Sequence, residues 1–160
     1  MDTERRSDLK ILVVDDDRPV ADTLAEYLTG VGYRTRAAYR GREALDLFKA
    51  GSFQMLLTDL KMPDMDGLAL IDAVKSIKRL APVIVMTGYG TIDAAVDAIK
   101  RGAYDFLSKP FQYDDLVGVI DRALDQYLLA ERVRVLRRRA IFLICSLPIW
   151  FWIGYWISQY

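Results

Sequence analysis

Short apolar runs alternate with amphipathic stretches from residue 9 to residue 128. Ile11-Leu12-Val13-Val14 and Val83-Ile84-Val85-Met86 are unbroken apolar runs, as strands buried on both faces should be. The pattern predicts strands near 9–14, 33–38, 54–58, 82–87 and 104–108. It predicts helices near 19–30, 42–50, 67–78, 92–101 and 113–138. The first helix would bury Val20, Leu24 and Leu28 at i, i+4 and i+8, and end at Gly30 and Gly32. The fourth gathers Ile92, Ala95, Val96 and Ile99 on one face and ends at Gly102. Thr91 and Asp114 are candidate N-caps, and Asp17 reads as an N-cap or turn residue. In the last helix Leu116, Val119, Ile120, Ala123, Leu124, Tyr127 and Leu128 keep the 3.6-residue rhythm.

Strict alternation of strand and helix implies an α/β fold with a parallel sheet covered on both faces. The expected arrangement is a flavodoxin-like, doubly wound (βα)5 sheet of order 2-1-3-4-5, with its switch point between strands 1 and 3. Strand ends in such a sheet converge on one crevice. Asp15 and Asp16 end the first apolar run, Asp59 the third, Thr87 the fourth and Lys109 the fifth. Carboxylates gathered there repel one another unless a cation neutralises them. Mg²⁺ fits, because it is held by one or two carboxylates plus waters and phosphate oxygens. A carboxylate can then attack phosphorus in line, with catalysis by positioning and charge neutralisation. The Lys109 ammonium can pair with the phosphoryl oxygens, and the Thr87 hydroxyl can bond them once attached. Each residue also has an ordinary reading, as a turn residue or solvated lysine. Coincidence at four separate strand ends is what favours the chemical one.

Composition narrows the classes. The 160 residues suffice for one ordinary domain plus an appendage. There is no histidine, which removes histidine metal ligands, histidine bases and Ser-His-Asp triads. Cys145 is the single cysteine, so no intrachain disulfide forms and a reducing cytosol suits the domain. Net charge is zero, yet residues 126–160 hold five Arg and one Glu, leaving residues 1–125 at −4. An acidic domain with a basic collar argues against nucleic acid as partner of the folded part.

Four segments carry a resemblance. They are Ile11–Asp17, Asp59-Leu60-Lys61-Met62-Pro63-Asp64-Met65-Asp66-Gly67, Val83–Gly88, and Gly102-Ala103-Tyr104-Asp105-Phe106-Leu107-Ser108-Lys109-Pro110-Phe111. Over residues 8–128 the chain resembles the receiver domain of bacterial two-component response regulators, the last segment being similar to nitrogen-regulator-type receivers. The resemblance implies a phosphoacceptor rather than a turnover enzyme. Asp59 would take phosphate from a sensor histidine kinase or phosphotransfer protein. Asp15, Asp16, Asp59 and the Lys61 backbone carbonyl would bind Mg²⁺. Lys109 would contact the phosphoryl group, Thr87 would move toward it, and Phe106 would turn inward. Pro110 would follow a cis bond, which proline alone makes cheap. Lys61 and Tyr89 occupy the positions that tune hydrolysis of the acyl phosphate. A homodimer through helix 4, strand 5 and helix 5 is a further expected partner.

Beyond the receiver come a basic helix extension at 129–139 and an uncharged stretch at 140–157. Eighteen helical residues span about 27 Å, close to the ~30 Å hydrocarbon core, and predict a transmembrane helix. Arginines on its N-terminal side place the receiver on the cytoplasmic side of a bacterial inner membrane, in contact with membrane lipid. Trp150, Trp152, Tyr155, Trp156 and Tyr160 would form the distal aromatic belt. A helix packing into a partner protein and a truncated gene product are the rivals. The expected whole is a membrane-tethered receiver with no DNA-binding output domain. Alternatives are a phosphate sink or docking module that modulates a kinase, or a haloacid-dehalogenase-type phosphohydrolase. The last would make Asp15 the nucleophile, but it needs a threonine where this chain has Pro19.

Overall fold

The structure is a computed structural model describing residues 6–88 and 90–158, without the side chains of residue 139 and of 142–158. Five strands alternate with five helices. The strands are β1 (Lys10–Val14), β2 (Arg34–Ala38), β3 (Met55–Thr58), β4 (Val83–Thr87) and β5 (Asp105–Ser108). The helices are α1 (Arg18–Gly30), α2 (Gly41–Ala50), α3 (Gly67–Ile77), α4 (Ile92–Lys100) and α5 (Tyr113–Ser158). The sheet is parallel with order β2-β1-β3-β4-β5, as the alternation implied. The chain falls into two compact units, Met1–Tyr127 and Leu128–Tyr160.

Burial follows from the strand sequences. β3 and β4 are buried at every residue, and β1 at all but Lys10. β2 and β5 lie at the sheet edges and carry polar residues. Alternate strand residues face opposite layers. Leu12, Val14, Leu56, Val83 and Val85 join Phe48 of α2 and Leu70, Ile71 and Val74 of α3. The other parity, Ile11, Val13, Leu57, Ile84 and Met86, is left for the layer of Leu24, Leu28, Leu116, Ile120 and Leu124, all of them buried. Asp121 of α5 accepts from the Tyr33 hydroxyl and takes Arg6 Nη2 at 2.6 Å, tying the N-terminal segment to the last helix.

Several local expectations change. α1 buries Ala21, Leu24 and Leu28, while Val20 is half-buried. Asp17 occupies the N-cap position of α1, but its side chain makes no capping bond. Thr91 does cap α4, accepting from Ala94 N–H at 3.1 Å. Asp114 lies inside the first turn of α5 instead of capping it, and accepts from the Tyr27 hydroxyl at 2.6 Å. The apolar face of α4 points outward: Ile92 is 84% exposed, Val96 45% and Ile99 48%. The helix meets the core through Ala98 and Ala94, whose small side chains allow close approach.

Among the described residues no helix is long and apolar enough to cross a membrane. The described side chains of α5 after Tyr127 include Glu131, Arg132, Arg134, Arg137 and Arg138, which no hydrocarbon layer accommodates cheaply. From residue 142 onward the side chains of the span expected at 140–157 lie outside the described residues, as does Tyr89.

Candidate functional site

Register builds the site. Val14 of β1 pairs with Thr58 of β3, so Asp15 and Asp59 follow side by side. Thr58 pairs with Val85, which sets Thr87 one residue beyond Asp59 on the next strand. Thr87 pairs with Ser108, so Lys109 comes directly after β5. Backbone bonds continue the ladder past the strand ends, with Asp59 N–H donating to Val14 C=O at 2.9 Å and Lys109 N–H to Thr87 C=O at 2.9 Å.

Carboxylate oxygens of Asp15, Asp16 and Asp59 all lie within 4.8 Å of one another. Asp15 and Asp59 are buried, whereas Asp16 is exposed. Lys109 Nζ stands 2.5 Å from Asp15 Oδ2 and 3.4 Å from Asp59 Oδ2. Asp15 is held in place by Asp17 N–H at 3.0 Å. Asp59 Oδ1 accepts from Leu60 N–H at 2.5 Å and, at a longer 3.4 Å, from Lys61 N–H. The other oxygen, Oδ2, is the one toward Lys109. Thr87 is fully buried. Phe106 is half-buried and packs against Gly90, where an added Cβ would come within 2.9 Å of the ring. The Lys109–Pro110 peptide is cis, as expected.

Burial pushes the Asp15 carboxyl above its ordinary range, and the Asp59 charge adds to that push against the Lys109 contact. Burial would lower the Lys109 ammonium, but the bond to Asp15 and the two carboxylate charges hold it above the ordinary lysine value. The two shifts favour opposite states of one pair. The pair is charged at neutral pH, because the 2.5 Å contact between Lys109 and Asp15 is favourable between opposite charges.

Three clustered carboxylates supply hard oxygen donors that suit a small divalent cation. Lys109 brings a single ammonium to three clustered carboxylates, and a divalent metal fits that imbalance.

Two residues of the Asp59–Gly67 segment have positioning roles that the sequence reading did not assign. Asp64 accepts from Gly41 N–H at 3.0 Å and Arg42 N–H at 3.1 Å, capping α2 from the loop after β3. Its own N-cap residue, Arg40, makes no side-chain bond, so Asp64 supplies the cap. Gly67 has no room for a side chain: a Cβ would overlap the Asp59 carbonyl oxygen and sit 2.9 Å from Leu60 Cα. Gly67 N–H also donates to Leu60 C=O at 2.8 Å, closing the loop onto the residue after Asp59. Lys61 is exposed at the rim.

Comparison with known proteins identifies the family of this fold. A family model described as the response regulator receiver domain matches residues 11–121. The chain is 42% identical over 122 residues to the DNA-binding transcriptional regulator NtrC of Klebsiella pneumoniae, covering 76% of this chain and 26% of that protein. It is 39% identical over 116 residues to the transcriptional regulatory protein ZraR of Escherichia coli (strain K12), covering 72% of this chain and 26% of that one. It thus spans about a quarter of the length of these curated relatives. Among solved structures, a CheY-like receiver domain protein from Methanospirillum hungatei JF-1 superimposes with a TM-score of 0.74 at 30% identity. That match covers 76% of this chain and 98% of the other. The beryllofluoride-activated NtrC4 receiver domain dimer gives 0.70 at 40% identity, covering 74% and 98%. The chain therefore belongs to the response regulator receiver domain family.

Proposed function

We propose that Asp59 accepts a phosphoryl group from the phosphohistidine of a sensor histidine kinase or phosphotransfer protein. The observation that carries this reading is the gathering of three carboxylates within 4.8 Å beside Lys109, at the switch point of the sheet. Mg²⁺, held by Asp15, Asp16, Asp59 and the Lys61 backbone carbonyl, would neutralise charge on the cluster and the phosphoryl oxygens. An Asp59 carboxylate oxygen attacks phosphorus in line, the P–N bond breaks, and the electron pair returns to the imidazole. Lys109 moves its charge from Asp15 toward the phosphoryl oxygens. Thr87 bonds the attached phosphoryl group, and Phe106 takes up the space left behind. Lys61 and Tyr89, two positions after Asp59 and Thr87, slow hydrolysis by hindering the attacking water. The chain is in this reading a phosphoacceptor and not a turnover enzyme.

The outward apolar face of Ile92, Val96 and Ile99 on α4 supports a homodimer through α4, β5 and α5. The apolar stretch 140–157 and the preceding arginines support attachment to anionic lipid on the cytoplasmic face of the bacterial inner membrane. The net charge of −4 over residues 1–125 speaks against nucleic acid as partner of the folded unit.

Incubation with acetyl phosphate and Mg²⁺ tests the central step. One phosphate, mapped to Asp59 and lost in Asp59→Asn, is expected. Label on Asp15 would favour the phosphohydrolase chemistry, and no label at all would end the phosphoacceptor reading. For the tether, full-length protein should remain in the membrane fraction after an alkaline carbonate wash; recovery in the supernatant rules it out.

A further inference from the structure

The N-terminal ends of the strands, opposite the carboxylate cluster, carry a second group of charges that phosphotransfer does not use. β1 and β2 pair in the register Lys10↔Arg34 and Leu12↔Arg36. Alternation puts Lys10, Arg34 and Arg36 on one face, that of Leu12, Val14 and Ala38. There they rim a cleft of about 340 Å³ whose other walls include Leu47 of α2, Ser52 and Phe53. No carboxylate lines it. Among the described residues none of the three cationic side chains has an ion pair or a hydrogen-bond partner.

Like charges in register on neighbouring strands repel. Charge on an edge strand guards against edge-to-edge pairing, which accounts for Arg34 and Arg36. It does not account for Lys10, which is half-buried on the second strand of an otherwise apolar face. Three unpaired cations around an apolar-walled cleft, on a unit that is net acidic, match the needs of an anionic ligand.

We infer that this cleft binds a small organic polyanion, a diphosphate ester in chemical class. Guanidinium groups take phosphate oxygens in pairs, and the Lys10 ammonium serves as a point charge. The body of the ester lies against Leu47 and Phe53. The volume is at the lower end of the ~300–1,000 Å³ range of ligand pockets, enough for the phosphates and part of the body. No metal is required, so the site is independent of the phosphoacceptor.

Calorimetric titration of the full chain with ADP and with inorganic pyrophosphate, in buffer containing EDTA, tests the inference. EDTA removes any contribution from a metal at the carboxylate cluster. Saturable binding of ADP is expected, with pyrophosphate weaker for lack of the apolar contact. Lys10→Gln and Arg36→Gln should each weaken ADP by about tenfold, the loss of one charge-assisted contact. Both variants should melt no lower than the parent without ligand, because each relieves repulsion, and ADP should raise the melting temperature of the parent more than that of either variant. Absence of binding, or binding indifferent to both substitutions, overturns the inference. So does tighter binding of a poly-glutamate peptide than of ADP, which would assign the face to an acidic strand on the β2 edge.

Discussion

Asp64→Ala isolates a contact that holds the loop after β3 against α2. The carboxylate accepts two backbone N–H bonds, at 3.0 and 3.1 Å, from the first two residues of the helix. No other side chain replaces it, since Arg40 at the N-cap makes no side-chain bond. Glu43 reaches back only to Tyr39 N–H, at 3.0 Å. Losing an N-cap carboxylate costs about 0.5–2 kcal/mol, and water reaching a half-buried position favours the middle of that range. A loss near 1 kcal/mol should lower the melting temperature by roughly 3–5 °C for a unit of this size. Asp64→Asn should fall between, since an amide offers a single acceptor oxygen. The pH dependence has a definite sign. Burial alone would raise the Asp64 carboxyl, but the N–H groups of Arg42 and Gly41 hold it below the usual carboxylate range. Its folded value is depressed, so its contribution is present above the unfolded value of about 4 and is lost as pH falls through the folded value. Urea midpoints of parent and variant, measured from neutral pH down to below pH 4, should therefore converge on acidification. A gap that stays constant through that window, or no gap at neutral pH, would refute the capping argument.

Two other substitutions probe the site itself. Gly67→Ala forces a methyl group into the Asp59 carbonyl and should destabilise by about 1–3 kcal/mol, read from denaturation midpoints. It should also slow labelling by acetyl phosphate; a stable, fully active variant would contradict the close approach. Lys109→Ala leaves buried Asp15 beside Asp59 without the Lys109 ammonium and should cost about 2–3 kcal/mol, less than a fully buried pair because Lys109 is partly exposed. Millimolar Mg²⁺ should recover most of that loss, and midpoints unaffected by the metal would argue against a cation site.

The carboxylate cluster was legible because each member sits at a strand end. Asp15, Asp59, Thr87 and Lys109 are each marked by the apolar run that precedes them, and parallel pairing brings such ends to one edge. The cap on α4 was legible too, since Thr91 bonds a donor three residues away. Asp64 was less so. Its donors lie more than twenty residues upstream, so no local spacing marks it as a cap.

The number of strands and helices and the parallel, doubly covered sheet follow from local periodicity, because backbone hydrogen bonding and burial demand the same alternation wherever it occurs. Periodicity reports that a helix has an apolar face; it does not report whether another element covers it. Packing alone turned Ile92, Val96 and Ile99 outward and set Ala94 and Ala98 against the core. Register alone brought Lys10 onto one face around a cleft with Arg34 and Arg36, which lie more than twenty residues further along the chain. Contacts between distant segments depend on three-dimensional pairing, and no spacing along the chain encodes them.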